Sequence, residues 1–127
     1  MSPFSKFEIK SEKAYEDLQR ICTSNIKQEP GKCTYTHMLN KDGGIETALT
    51  VVCIDQNYFR IISSAATRER DKFHIKKHLS EDIELKDVTD DYCVFGLFGP
   101  KSRLLMQDLS LDDFTYENFK FANSKYI

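Results

Sequence analysis

The sequence predicts an α+β domain, an antiparallel meander with helices packed on it. Three observations carry that prediction. Residues 32–39, 45–54 and 58–63 are rich in β-branched and aromatic residues and are separated by short polar turns. Ala14, Leu18, Ile21 and Cys22 fall on one helical face. Residues 67–79 form a second helical stretch with a dense charged face of Arg68, Glu69, Arg70, Asp71, Lys72, Lys76 and Lys77.

Taken in order, Phe7-Glu8-Ile9-Lys10 alternates and reads as a strand. Ser11 is placed to cap the first helix, which should end near 23–25. Gln28 to Gly31 is a loop, and Lys32 to Leu39 a strand. Asn40 to Gly44 turns the chain, with glycines available for positive φ. Ile45–Ile54 is the next strand, Asp55-Gln56-Asn57 a second turn, and Tyr58–Ser63 the third strand of the meander. After the charged helix, residues 83–88 alternate as a short strand. Tyr92–Phe98 is uniformly apolar, the pattern of a central strand. Gly99-Pro100 opens a last helix carrying Leu104, Leu105, Met106 and Leu109. The tail, with Phe114, Tyr116, Phe119, Phe121 and Tyr126, is too aromatic to be disordered.

Composition narrows the function. The 127 residues suffice for one domain. With 18 basic and 20 acidic residues and a net charge of −2, neither nucleic acid nor an anionic membrane is expected as partner. No apolar run approaches the roughly 20 residues that span a bilayer. The N-terminal stretch lacks the apolar core of a secretory signal. Cys22, Cys33, Cys53 and Cys93 form no Cys-x-x-Cys pair and have no histidine at zinc-finger spacing. They read as small buried hydrophobes in a reducing cytosol. No metal site is expected; His74 and His78 sit four apart on a helix but lack the glutamate of a zinc-protease motif.

A weak internal repeat aligns residues 7–21 with 95–109. Phe7 matches Phe95, Ile9 matches Leu97, Leu18 matches Met106 and Ile21 matches Leu109. A second strand–helix unit therefore starts near residue 92, and the chain reads as one partial domain, 1–127, ending inside a strand. An unpaired strand there would favour a homo-oligomer through its exposed edge.

Alternation along the strand after the Asp42-Gly43-Gly44 turn places Glu46, Ala48, Thr50 and Val52 on one face. Thr47, Leu49, Val51 and Cys53 take the other, more apolar face, expected to pack on the helices. Across the turn, Tyr35 can supply an aromatic wall. A ring, aliphatic walls and hydroxyls suit a flat heteroaromatic ligand, although the same residues also make a plain sheet surface. His37, which precedes Met38 in the meander, is a further ligand-contact candidate.

Five segments in order resemble the folate-binding region of the glycine-cleavage aminomethyltransferase family. They are Ser2-Pro3-Phe4-Ser5-Lys6-Phe7-Glu8-Ile9-Lys10; Tyr35-Thr36-His37-Met38-Leu39-Asn40 with Gly43-Gly44-Ile45; Leu49-Thr50-Val51; Asp87-Val88-Thr89-Asp90; and Gly96-Leu97-Phe98-Gly99-Pro100 with Ser102-Arg103. The resemblance is strongest to the C-terminal regions of dimethylglycine and sarcosine dehydrogenases. It implies about half of a duplicated, intertwined folate-binding domain. It also implies tetrahydrofolate as cofactor, whose amines capture a methylamine carbon at the iminium or formaldehyde level, and a methylated amine as the substrate of the longer protein. FAD would belong only to a separate part of that protein. The compartment implied is the cytoplasm, or the mitochondrial matrix in a eukaryote. The folate-facing set carried over is Phe4, Tyr35, Thr50, Val52, Ile62, Ser63 and Ser64.

Three departures bear on chemistry. The family's Gly-Gly-x-x-x-Asp-Leu reads Gly43-Gly44-Ile45-Glu46-Thr47-Ala48-Leu49, so the acid position is Ala48, and a methyl group accepts no proton. Glu46, about 7 Å along the same face, is the one candidate substitute. A later family segment of Tyr-Thr-Gly-Glu type is absent. No catalytic residue is assigned, and the isolated chain is expected to be inactive. The alternatives are a non-catalytic folate-binding or regulatory module, and a folate-dependent demethylase or RNA-modification paralogue.

Overall fold

A computed structural model describes residues 3–127; Ser2 of the first matching segment lies outside them. The elements are β1 (Phe4–Lys10), α1 (Ala14–Ile21), β2 (Cys33–Leu39), β3 (Ile45–Asp55), β4 (Tyr58–Ser64), α2 (Arg68–His78), β5 (Leu85–Asp87) and α3 (Ser102–Leu109). The strands form one antiparallel sheet in the order β2-β3-β4-β1-β5. The meander β2-β3-β4 is as expected. Pairing along all of β4 carries β1 into the sheet interior, and β5 adds beyond it.

The turns follow from their residues. The Asn40 side-chain oxygen accepts the N–H groups of Asp42 and Gly44 at 3.0 and 2.8 Å, while Gly43 supplies φ +80°. Asn57 takes φ +64° in the β3–β4 turn, a region asparagine tolerates better than most residues. Ser11 stands two residues before the N-cap position, Lys13. Its carbonyl accepts the Ala14 N–H at 3.0 Å and its hydroxyl the Lys13 N–H at 3.3 Å. Helix α1 ends at Ile21, earlier than expected. Cys22 turns extended and bridges to Met38, and the Thr23 N–H donates to the His37 carbonyl at 3.0 Å.

One face of the sheet carries the core. Phe7 and Ile9 of β1, Met38 of β2, Leu49, Val51 and Cys53 of β3, and Phe59 and Ile61 of β4 pack with Leu18 of α1 and Ile75 of α2. Helix α2 also buries a carboxylate. Asp71, 1% exposed, accepts hydroxyl hydrogens from Thr67 at 2.7 Å and Thr47 at 3.1 Å on one oxygen.

The C-terminal third departs from expectation. Tyr92–Phe98 is not a strand: it pairs with no strand among the described residues, and Phe95 and Phe98 are each 91% exposed. Its first residue, Tyr92, contacts the sheet face opposite α1 and α2. Tyr92 lies on Arg60, 4.5 Å from ring centre to guanidinium, and its carbonyl accepts from Lys6 Nζ at 2.6 Å. Apolar composition marked this segment, but composition does not supply a neighbouring strand. Helix α3 forms after Gly99-Pro100 as expected, but buries no residue. Residues 124–127 are not a strand either. The tail is ordered by the buried Phe114, by the edge-on Phe114–Phe119 ring pair and by a Lys32–Asn123 bridge. Cys22 and Cys53 are buried and Cys33 half-buried, whereas Cys93, on the irregular segment, is exposed and departs from the buried-hydrophobe reading.

Candidate functional site

The face opposite the helices carries most of the residues singled out from the sequence. Directly paired residues on antiparallel strands share a face. Tyr35, Thr50 and Ile62 stand side by side in one row across β2, β3 and β4. Val52 stands in the next row with Cys33 and Arg60, and Phe4 pairs with Ser64 on the other side. Tyr35 is 64% exposed, and Ala48 is also exposed. The expected split along β3 holds on the opposite side, where Thr47, Leu49, Val51 and Cys53 are all buried.

Two predicted residues differ. Ser63 lies on the core face, opposite Ser5 and 3% exposed, because it alternates with Ile62 and Ser64. The Ser64 hydroxyl caps the following 3-10 turn by accepting the Ala66 N–H. Glu46 leaves the simple alternation. Met38 pairs with Thr47 and Leu39 with Ile45, so Glu46 is the extra residue of a bulge. Its carbonyl accepts from Arg70 of α2, and its carboxylate is near enough to His74 of α2 to favour the charged imidazole. Burial and the neighbouring His78 nevertheless hold His74 below the usual histidine range.

Sequence reasoning missed the polar centre of this face. Arg60 donates from Nε and Nη2 to one Glu8 oxygen at 2.9 and 2.6 Å. Both side chains are largely buried. Burial alone would raise the Glu8 carboxyl, but the Arg60 hydrogen bonds outweigh it and hold Glu8 below the usual range. Burial and the Glu8 charge push the neighbouring Tyr58 phenol up to about 12. The signal was present as opposite charges at Glu8 and Arg60, but their pairing needs the β1–β4 register. Beside Arg60, a cavity of about 330 Å³ is lined by Val52, Ile62, Lys125 and Tyr126, among others. Two predicted residues thus share a concavity with a cation that sequence reasoning did not select. Among the described residues, no group of three or more His, Cys, Asp or Glu is arranged to hold a metal ion, and no helix is long and apolar enough to cross a membrane.

The GCVT N-terminal domain model matches residues 1–127. The chain belongs to this family. Its relatives include an aminomethyltransferase of Natranaerobius thermophilus, 30% identical over 92% of this chain and 32% of that protein. The mitochondrial dimethylglycine dehydrogenase of Rattus norvegicus is 30% identical over 100% of this chain and 15% of its own length. A formaldehyde-forming 4-methylaminobutanoate oxidase of Paenarthrobacter nicotinovorans is 28% identical over the whole chain. The crystal structure of glycine cleavage system aminomethyltransferase T from Bartonella henselae superposes with a TM-score of 0.73, covering 88% of this chain and 31% of that one at 16% identity. That likeness shows the fold. The chain thus spans about a third or less of the length of these two aminomethyltransferases, and 15% of the rat dehydrogenase.

Proposed function

We propose that the open face of the sheet binds a reduced folate, tetrahydrofolate, and that the chain is part of a folate-dependent, aminomethyltransferase-like domain in one-carbon transfer from methylated glycines. The row Tyr35–Thr50–Ile62 carries this reading: an exposed aromatic ring, a hydroxyl and an aliphatic side chain, adjacent in register on the face opposite α1 and α2. These groups fit the cofactor. A flat pterin can lie against Tyr35 and Ile62 while Thr50 offers a hydroxyl, with Val52 and Phe4 extending the apolar wall. Arg60 and Lys125 line the neighbouring cavity, with their charges paired to Glu8 and Asp112. Tetrahydrofolate, when bound, supplies the amine nitrogens that take up a one-carbon unit. The protein's part is to bind and orient it. The methylated amine and any flavin belong to the longer protein, in the cytoplasm or, where that protein is mitochondrial, the matrix.

A second reading, binding without transfer, is favoured by one observation. Ala48 presents a methyl group on the open face, and the bulge turns Glu46 towards α2. Both readings predict a folate site, tested by titrating the ¹⁵N-labelled chain with 5-formyltetrahydrofolate to millimolar concentration. The expected result is saturable amide shifts centred on Tyr35, Thr50 and Ile62. Shifts that are absent, or confined to α1 and α2, would refute the site.

A further inference from the structure

We infer that His37 is the hydrogen-bond acceptor on the open face that contacts the ligand's N–H groups, a role that neither Ala48 nor Glu46 fills. The inference rests on the folate reading above and names the group that would meet the ligand's polar edge. His37 pairs directly with Ala48 across β2 and β3, which sets their Cβ atoms about 5 Å apart. Ala48 is exposed and projects only a methyl group, so it leaves room beside the imidazole.

The ring is also positioned. It stands edge-on to Tyr35, 5.4 Å between centroids and 79° between planes, so the proposed stacking ring and the acceptor form one corner. Its backbone is held from outside the sheet by Thr23, whose hydroxyl accepts the His37 N–H at 3.3 Å and whose N–H donates to the His37 carbonyl at 3.0 Å. Among the described residues, neither ring nitrogen of His37 takes part in a hydrogen bond or ion pair, so one is free to accept. The other polar groups nearby are less suited. Arg60 can only donate and is committed to Glu8. Glu46 is displaced by the bulge towards His74 and Arg70. Reduced pterins carry several N–H donors, so an acceptor at this corner complements them.

The test compares wild type with His37→Phe, which keeps a flat ring beside Tyr35 and removes both nitrogens. Each 127-residue chain is titrated with 5-formyltetrahydrofolate and followed by amide shifts. The expected outcome is a Kd about tenfold weaker for His37→Phe, a change of less than about twofold for Glu46→Gln, and recovery of most of the loss when Ala48→Asp is added to His37→Phe. In wild type, the ¹⁵N signal of one His37 ring nitrogen should move on saturation. This readout needs no variant to fold. Unchanged affinity in a folded His37→Phe, a loss carried instead by Glu46→Gln, or a motionless ring signal in a saturated wild type would each overturn the inference while leaving the folate site intact. Absence of any saturable shift in wild type would remove both.

Discussion

Thr47→Val isolates the contact that fixes α2 beneath the strand bearing the open face. The substitution keeps the branched shape and removes one hydroxyl. That hydroxyl donates to Asp71 Oδ2 at 3.1 Å, and Thr67 supplies the other donor at 2.7 Å. Asp71 is 1% exposed, and its second oxygen has no hydrogen-bond partner, only the Arg70 guanidinium at 3.7 Å. Water therefore has little access to replace the lost donor. A hydrogen bond to a charged group contributes about 1.5–3 kcal/mol, and a buried carboxylate left short of donors keeps its desolvation cost. The expected loss is about 2 kcal/mol, or roughly 3–5 °C of unfolding midpoint per kcal/mol for a chain of this size.

Urea unfolding followed by far-ultraviolet circular dichroism measures that loss. A cycle with Asp71→Ala tests its cause. If the loss arises from the starved carboxylate, Thr47→Val adds little once Asp71 is gone, giving a coupling of about 1–2 kcal/mol. A Thr47→Val variant within about 0.5 kcal/mol of wild type, or strict additivity in the cycle, would show that the Thr47–Asp71 hydrogen bond does not hold α2 to β3.

Two further predictions concern protons and thiols. Burial would raise the Asp87 carboxyl, but hydrogen bonds from Arg68 and Thr89 outweigh it and hold Asp87 well below the usual carboxylate range. A depressed folded-state value means a contribution present above about pH 4 and lost as pH falls further. Asp87→Asn should therefore flatten the acid limb of the stability curve, and an unchanged slope below pH 4 would count against it. Burial pushes the Cys22 thiol up to about 12, whereas Cys93 is exposed. Iodoacetamide at pH 8, read by peptide mass spectrometry, should label Cys93 first and Cys22 only on unfolding; early labelling of Cys22 would contradict the packing around α1.

The meander was legible because its signals are local. Asn40 and the glycines after Asp42 mark the first turn, Asn57 the second, and alternation from Thr47 to Cys53 marks the core face. What failed depended on partners distant in the chain. Tyr92–Phe98 has a strand's composition, but its apolar side chains find no ladder, and Tyr92 rests on Arg60 instead. The Glu46 bulge is invisible to a period-two reading, since one extra residue changes the facing of those before it without altering composition. Ser63 was chosen beside Ile62 and Ser64, although neighbours in a strand cannot all face one ligand. The Glu8–Arg60 pair, 52 residues apart, needed the β1–β4 register.

The same hydrogen bonds decide which surface of β2 is available. A free edge strand offers unpaired backbone groups and invites strand exchange. Here residues 22–27 and Ala122 contact much of the outer side of β2. Cys22 bridges Met38, Thr23 holds His37, the Ser24 N–H donates to the Thr36 hydroxyl, the Lys27 N–H to the Thr34 hydroxyl, and the Cys33 N–H to the Ala122 carbonyl. Strand addition at this edge of β2 would first have to displace those contacts. Its exposed face is different: Tyr35 remains 64% exposed directly above the backbone that Thr23 and Ser24 secure. With that edge contacted and Tyr35 left exposed beside it, this corner of the sheet is preorganised, which lowers the ordering cost of receiving a flat ligand. The contacts made by residues 22–27 thus bear on binding as well as stability. Loosening Thr23 should weaken a ligand on Tyr35 and His37 without removing any group that touches it.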